Sequence, residues 1–158
     1  PHDPFPAVLV LVGDGPDRAS FERMAKDLSL AGVHFTGHIE HALVGKYYAI
    51  GDIFVLPSHR DVWAKVLNEA MLFALPLVVS KDVGAHHDLV RCGENGFVVE
   101  TKDANALANA LAILCRDAEL RKSMGVKSQE IIKGWSIESA VLGLCQALRV
   151  VGVNVGRD

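Results

Sequence analysis

The 158-residue sequence predicts an α/β fold, three layers of helix, parallel sheet and helix. Three observations lead there. AVLVLVG (7–13), IFVLP (53–57) and PLVVS (76–80) are short continuous apolar runs, as expected of parallel strands buried on both faces. Between the last two, residues 64–74 place Val66, Leu67, Ala70, Met71 and Ala74 on one helical face. Strand, helix and strand in succession make a βαβ crossover, and the rest of the chain repeats the alternation.

Taken in order, residues 1–6 (PHDPFP) are proline-rich and read as a linker ahead of a domain over 7–149. The first strand turns through GDGPDR into a helix from about Asp17 to Leu30, with Pro16 near its start where a missing N–H costs nothing. A second strand over Val33–Thr36 runs into GHIEH, and a helix over Ala42–Ile50 carries Tyr47 and Tyr48, read as packing residues. After the central crossover, residues 81–90 form a loop and short helix. Asn95-Gly96 is a turn signal before the last strand. Residues 103–148 are helical in three pieces, with Asp103 as a cap and Trp135 as a core residue at the last break; these helices are expected to cover the sheet.

The totals exclude several classes. A net charge of −3 and no basic patch interleaved with aromatics argue against nucleic acid. The apolar runs are strand-sized, so no transmembrane segment is expected, and no signal-like stretch opens the chain. Cys92, Cys115 and Cys145 are scattered, lack metal-ligand spacing and are odd in number, which reads as a reducing compartment with buried or inert thiols. His86 and His87 diverge on a helix and cannot chelate one metal together. The expectation is a cytoplasmic protein, with peripheral attachment to the inner face of a membrane as an option, no bound metal and no cofactor.

Two carboxylates interrupt the apolar central unit: Asp61 in the loop and Glu69 on the second turn of the helix, with seven residues between them. Loops at the carboxyl ends of parallel strands border the ligand crevice of open α/β sheets. The amides of Val62, Trp63 and Ala64 open the helix and favour an anion such as phosphate. Carboxylates for hydroxyls beside amides for phosphate suit a sugar nucleotide. Spacing alone also allows Glu69 as a surface acid and Asp61 as a helix cap. The glycines of the first turn, Gly13 and Gly15, either cradle phosphate or simply permit a tight turn.

Here the sequence resembles a known family. Acid-x7-acid with an aromatic two residues after the first acid, then NEAM, a small-residue turn and Pro76, resembles the donor-binding motif of family 4 retaining glycosyltransferases, the glycosyl transferases group 1. LVGDGPDR, VHFTGHI, DIFVLPS, VGAHHDLV and GENGFVV match in the same order, so that the resemblance covers roughly residues 7–150. It implies the C-terminal, Rossmann-like half of a GT-B fold, which holds a nucleoside-diphosphate sugar for retaining, metal-independent transfer to an acceptor held by an N-terminal domain. Carried over, Asp61 contacts donor-sugar hydroxyls and Glu69 the ribose hydroxyls; these are the catalytic candidates. Gly13 and Gly15 line the nucleotide crevice, His38 and Ile39 meet the base through backbone groups, and Val62, Trp63 and Ala64 meet sugar or phosphate. Asp61 and Ala64 depart from the usual Glu and Gly.

The family's domain opens with a central strand ending in Gly-Arg, followed by a Lys, and this pair grips the diphosphate. Residues 1–7 show neither, so the isolated chain is expected to be inactive. An absent central strand leaves two apolar edges open. The tail VVGVNVGRD (150–158) is a candidate replacement, in cis or from a second copy in a domain-swapped homodimer; a frayed tail is the alternative. Two other functional classes stay open: a non-catalytic nucleotide-binding or assembly module, and a sugar-nucleotide epimerase-like domain.

Overall fold

The computed structural model describes residues 7–153. Five strands and seven helices alternate among them: β1 (Leu9–Leu11), α1 (Arg18–Asp27), β2 (Val33–Phe35), α2 (His41–Ile50), β3 (Phe54–Leu56), α3 (Lys65–Leu72), β4 (Leu77–Ser80), α4 (His86–Leu89), β5 (Gly96–Val99), α5 (Ala104–Arg116), α6 (Ala118–Ile132) and α7 (Ile137–Val150). All strand pairs are parallel. The strands nevertheless form two sheets, β1–β2 and β3–β4–β5. Among the described residues β1 and β3 do not pair, and each has a strand neighbour on one edge.

The core lies around the three-stranded sheet. Leu77, Val78 and Val79 of β4 are fully buried because the sheet is covered on both faces. Leu67, Ala70 and Met71 of α3 pack on one face with Leu89 and Ile132; Val99, Ala110, Leu114 and Met124 close the other. Close backbone approach locks these layers. A Cβ on Gly96 would overlap the Leu77 carbonyl, and one on Gly125 the Ala74 carbonyl, which lets α6 lie directly on the α3–β4 turn. Asn95 does more than turn the chain: it is buried, accepts from the Arg91 amide at 2.7 Å and donates to the Leu89 carbonyl at 3.0 Å. Ser128 Oγ donates to the Leu75 carbonyl at 2.8 Å.

The three C-terminal helices start at side-chain caps. Asp103 accepts from the Ala106 amide at 2.9 Å, Asp117 from Leu120 at 2.8 Å and Ser136 from Ser139 at 3.1 Å. Two expectations about this region need correction. Trp135 is not core: it sits in the break after α6, 44% exposed, with its ring against Trp63 at 5.3 Å. α7 does not cover the sheet; none of its residues is buried, and Ile137, Leu142 and Leu144 face solvent. Of the tail, Val150 ends α7, and Val151 and Gly152 form a turn in which Gly152 takes φ +81°; residues 154–158 lie outside the described residues, as do 1–6. Among the thiols, Cys92 is exposed rather than buried, while Cys115 and Cys145 are half-buried, all three free.

Candidate functional site

The residues singled out in the sequence fall into three groups, all carried by segments that follow β1, β2 and β3. The first group joins the two glycine loops. Gly13 bridges Gly37 across the ends of β1 and β2, and its amide donates to Thr36 Oγ1 at 3.3 Å. Both glycines take positive φ, +126° and +71°, which side chains resist. Gly37 is buried beneath Arg18, whose guanidinium occupies the space a Cβ would need. Thus the loop holding His38, exposed, and Ile39, half-buried, is pinned to the Gly13–Gly15 turn. Arg18 is engaged by Glu22 at 2.7 Å and Asp14 at 3.7 Å.

The second group is the loop from β3 to α3. Asp61 Oδ1 accepts the Trp63 amide at 3.1 Å, an Asx turn that draws the carboxylate back over its own loop. The helix starts later than the sequence suggests: Ala64 is the residue before it, left-handed at φ 64°, ψ 72°, and only 6% exposed. A non-glycine residue there carries a conformational cost of about 1–2 kcal/mol, the price of Ala where the resembling family has Gly. Of the three amides expected to favour an anion, that of Trp63 is taken by Asp61, while those of Val62 and Ala64 have no acceptor among the described residues. Val62 is 88% exposed.

This loop is held by the one after β4. The Asp61 amide donates to the Asp82 carbonyl at 3.1 Å, the Gly84 amide to the Asp61 carbonyl at 2.8 Å, and Ser80 Oγ to the Ser58 carbonyl. A Cβ on Gly84 would overlap the Val62 carbonyl. Gly84 was legible only as part of the VGAHHDLV match. His86 Nδ1 lies 2.8 Å from the Val83 carbonyl and its ring 3.8 Å from that of His87. No group of three or more His, Cys, Asp or Glu among the described residues is arranged to hold a metal ion.

The third group centres on Glu69. It lines a cleft of about 320 Å³ between α2 and α3, together with His41, Gly45, Tyr48 and Phe73. Its Oε2 accepts the Tyr48 hydroxyl at 2.9 Å. Tyr48 does pack, against Phe54 and Phe73, but its polar end reaches an acid that the sequence did not connect to it. Burial, helped by the Glu69 carboxylate, pushes the Tyr48 phenol well above its ordinary range, so it stays a donor throughout neutral pH. Trp63 Nε1 donates to Asn68 Oδ1 at 3.3 Å, tying the loop aromatic to α3.

Comparison with known proteins assigns the chain to a family. The profile of the glycosyl transferases group 1 family matches residues 5–131. The chain belongs to this family. Among curated group 1 relatives, the N-acetyl-alpha-D-glucosaminyl L-malate synthase of Bacillus anthracis is 30% identical over 127 residues, which cover 80% of this chain and 32% of that protein. The sulfoquinovosyl transferase of Arabidopsis thaliana is 29% identical over 78% of the chain and 24% of its own length. The chain therefore spans a third or less of these two glycosyltransferases. Among solved structures, sucrose-phosphate synthase from Thermosynechococcus elongatus superposes with a TM-score of 0.78 at 30% identity, over 90% of this chain and 38% of that one. The C-terminal domain of a group 1 glycosyl transferase from Francisella tularensis superposes at 0.75 with 25% identity, over 82% and 70%. The fold of this group 1 chain is accordingly that of the C-terminal, Rossmann-like domain of a GT-B protein. No helix among its described residues is long and apolar enough to cross a membrane.

Proposed function

We propose that this chain is the donor-binding unit of a retaining, metal-independent glycosyltransferase. It binds a nucleoside-diphosphate sugar, while a separate domain of the parent protein holds the acceptor. The observation that supports the reading is the loop between β3 and α3, which follows the carboxyl end of a parallel strand and carries Asp61 and two unpartnered amides, with Glu69 on the helix it leads into. Glu69 accepts the ribose hydroxyls, and Asp61 those of the transferred sugar. The Val62 and Ala64 amides meet the diphosphate or the sugar. Gly13 and Gly15 line the crevice, and the backbone at His38 and Ile39, fixed by the Gly13–Gly37 bridge, faces the base.

Calorimetric titration with UDP, GDP and ADP tests this. One of the three binds, and Glu69→Ala weakens it on the order of tenfold or more, as loss of a hydrogen bond to a charged group does. Equal binding by Glu69→Ala would remove Glu69 from the site. A second reading, a non-catalytic assembly module, draws on the exposed apolar residues of α7 and of α1, Phe21 and Met24 among them. Absence of binding to all three nucleotides would move it ahead.

A further inference from the structure

Tyr48 was read from sequence as a packing residue, and no role in the site is attached to it. The geometry points to Tyr48 as the positioning residue that aims the Glu69 carboxylate at a vicinal diol; this rests on the reading of Glu69 as a ligand for ribose hydroxyls.

The phenol is firmly held. Tyr48 is on α2, only 9% exposed, with its ring stacked on Phe73 at 5.5 Å and tilted against Phe54 of β3 at 5.9 Å. Gly45, one turn earlier, brings α2 against the Phe73 ring: a Cβ there would lie 3.4 Å from its Cζ. A ring gripped on both sides cannot swing, so its hydroxyl is a fixed donor. Glu69 is a flexible acid on the rim of an open cleft, and unpartnered it would sample several rotamers. The 2.9 Å bond to Oε2 selects one.

What remains on the carboxylate decides the ligand. An ionised carboxylate offers about four acceptor positions on two oxygens. Tyr48 takes one of them on Oε2, which leaves a lone pair there and both of Oε1 for a ligand in the cleft that Glu69 lines. Two acceptors about 2 Å apart on a rigid mount suit two adjacent hydroxyls, and a fixed acceptor binds without the cost of ordering a side chain. Tyr48 never touches the ligand in this arrangement. It acts through Glu69.

A hydroxyl-deletion cycle tests the assignment. The full chain, Tyr48→Phe and Glu69→Gln are titrated with UDP, GDP and ADP and with their 2′,3′-dideoxy counterparts. Tyr48→Phe keeps the ring and its packing; an unchanged circular dichroism spectrum establishes that it folds. The expected result is a threefold to tenfold loss of affinity for the ribonucleotide in Tyr48→Phe, with no loss for the dideoxynucleotide. Equal losses for both would make Tyr48 merely structural and overturn the inference. So would full ribonucleotide affinity in Tyr48→Phe alongside a loss in Glu69→Gln, and this result leaves the donor-site reading intact. If Glu69→Gln binds both nucleotides like the parent chain, or nothing binds the parent chain, the donor-site reading falls and the inference with it.

Discussion

The two halves of the sheet are built from the same kind of sequence and packed very differently. LVL in β1 and LVVS in β4 are both apolar and parallel, yet Leu9 is 50% exposed while Leu77, Val78 and Val79 are fully buried. α1 has no buried residue, whereas α3 buries Leu67, Ala70 and Met71. The difference lies in neighbours: among the described residues β4 is paired on both edges and β1 on one. Apolar strand sequence specifies a strand, and only lateral pairing and two covering layers turn it into core. The candidate site spans both regimes, the His38–Ile39 loop on the open half and the two acids on the closed one.

Substitutions can break this contrast, and the largest effect is expected in the closed half. Leu67→Ala should cost about 2–5 kcal/mol in urea unfolding, as deletion of a fully buried leucine does, and Leu9→Ala about 1 kcal/mol or less. Next comes backbone contact. Gly96→Ala forces a Cβ into the Leu77 carbonyl and should cost about 1–3 kcal/mol, while Gly15→Ala meets nothing within 4 Å and should change stability by less than about 0.5 kcal/mol. Equal costs in either pair would mean that the open half is as tightly packed as the closed one.

Ala64→Gly sharpens the comparison within the site. It removes the left-handed penalty at φ 64° and gives back part of it as unfolded-state entropy, for a net gain of about 0.5–1 kcal/mol measured by thermal unfolding. A loss would show that burial of the Ala64 methyl outweighs the strain. The smallest effect is with pH. The Tyr48 phenol ionises later in the folded chain than its ordinary value of 10.0, so the folded state holds the proton more tightly. Its contribution is therefore complete below about pH 10 and is lost as pH climbs beyond it. Unfolding free energy should fall more steeply above pH 10 in the parent chain than in Tyr48→Phe.

How much of this was legible in the sequence follows from which interactions are local. Strand and helix order was readable because apolar period and length are local properties, and the cap at Asp103 needed only the residue type beside a periodic run. The sequence reading expected open edges on the strands at 7–13 and 53–57, and among the described residues β1 and β3 do not pair. What could not be read was contact between distant segments. The Tyr48–Glu69 bond joins positions 21 residues apart, and Ser128 reaches Leu75 across 53. Gly84 matters because of the Val62 carbonyl, which no pattern around Gly84 encodes. Trp135 misled because a large aromatic at a helix break satisfies a core pattern equally well when its partner is another half-exposed ring, Trp63. The last helix was likewise expected to cover the sheet, and none of its residues is buried.

The central claim is that loops from both halves converge on one nucleotide. The most direct measurement is a backbone amide NMR titration of the chain with UDP, GDP and ADP in turn. The account predicts that one nucleotide shifts the amides of Gly13, Gly37, His38 and Ile39 from the open half together with those of Val62, Ala64 and Glu69 from the closed half. Shifts confined to one half, or centred on α7, would contradict it.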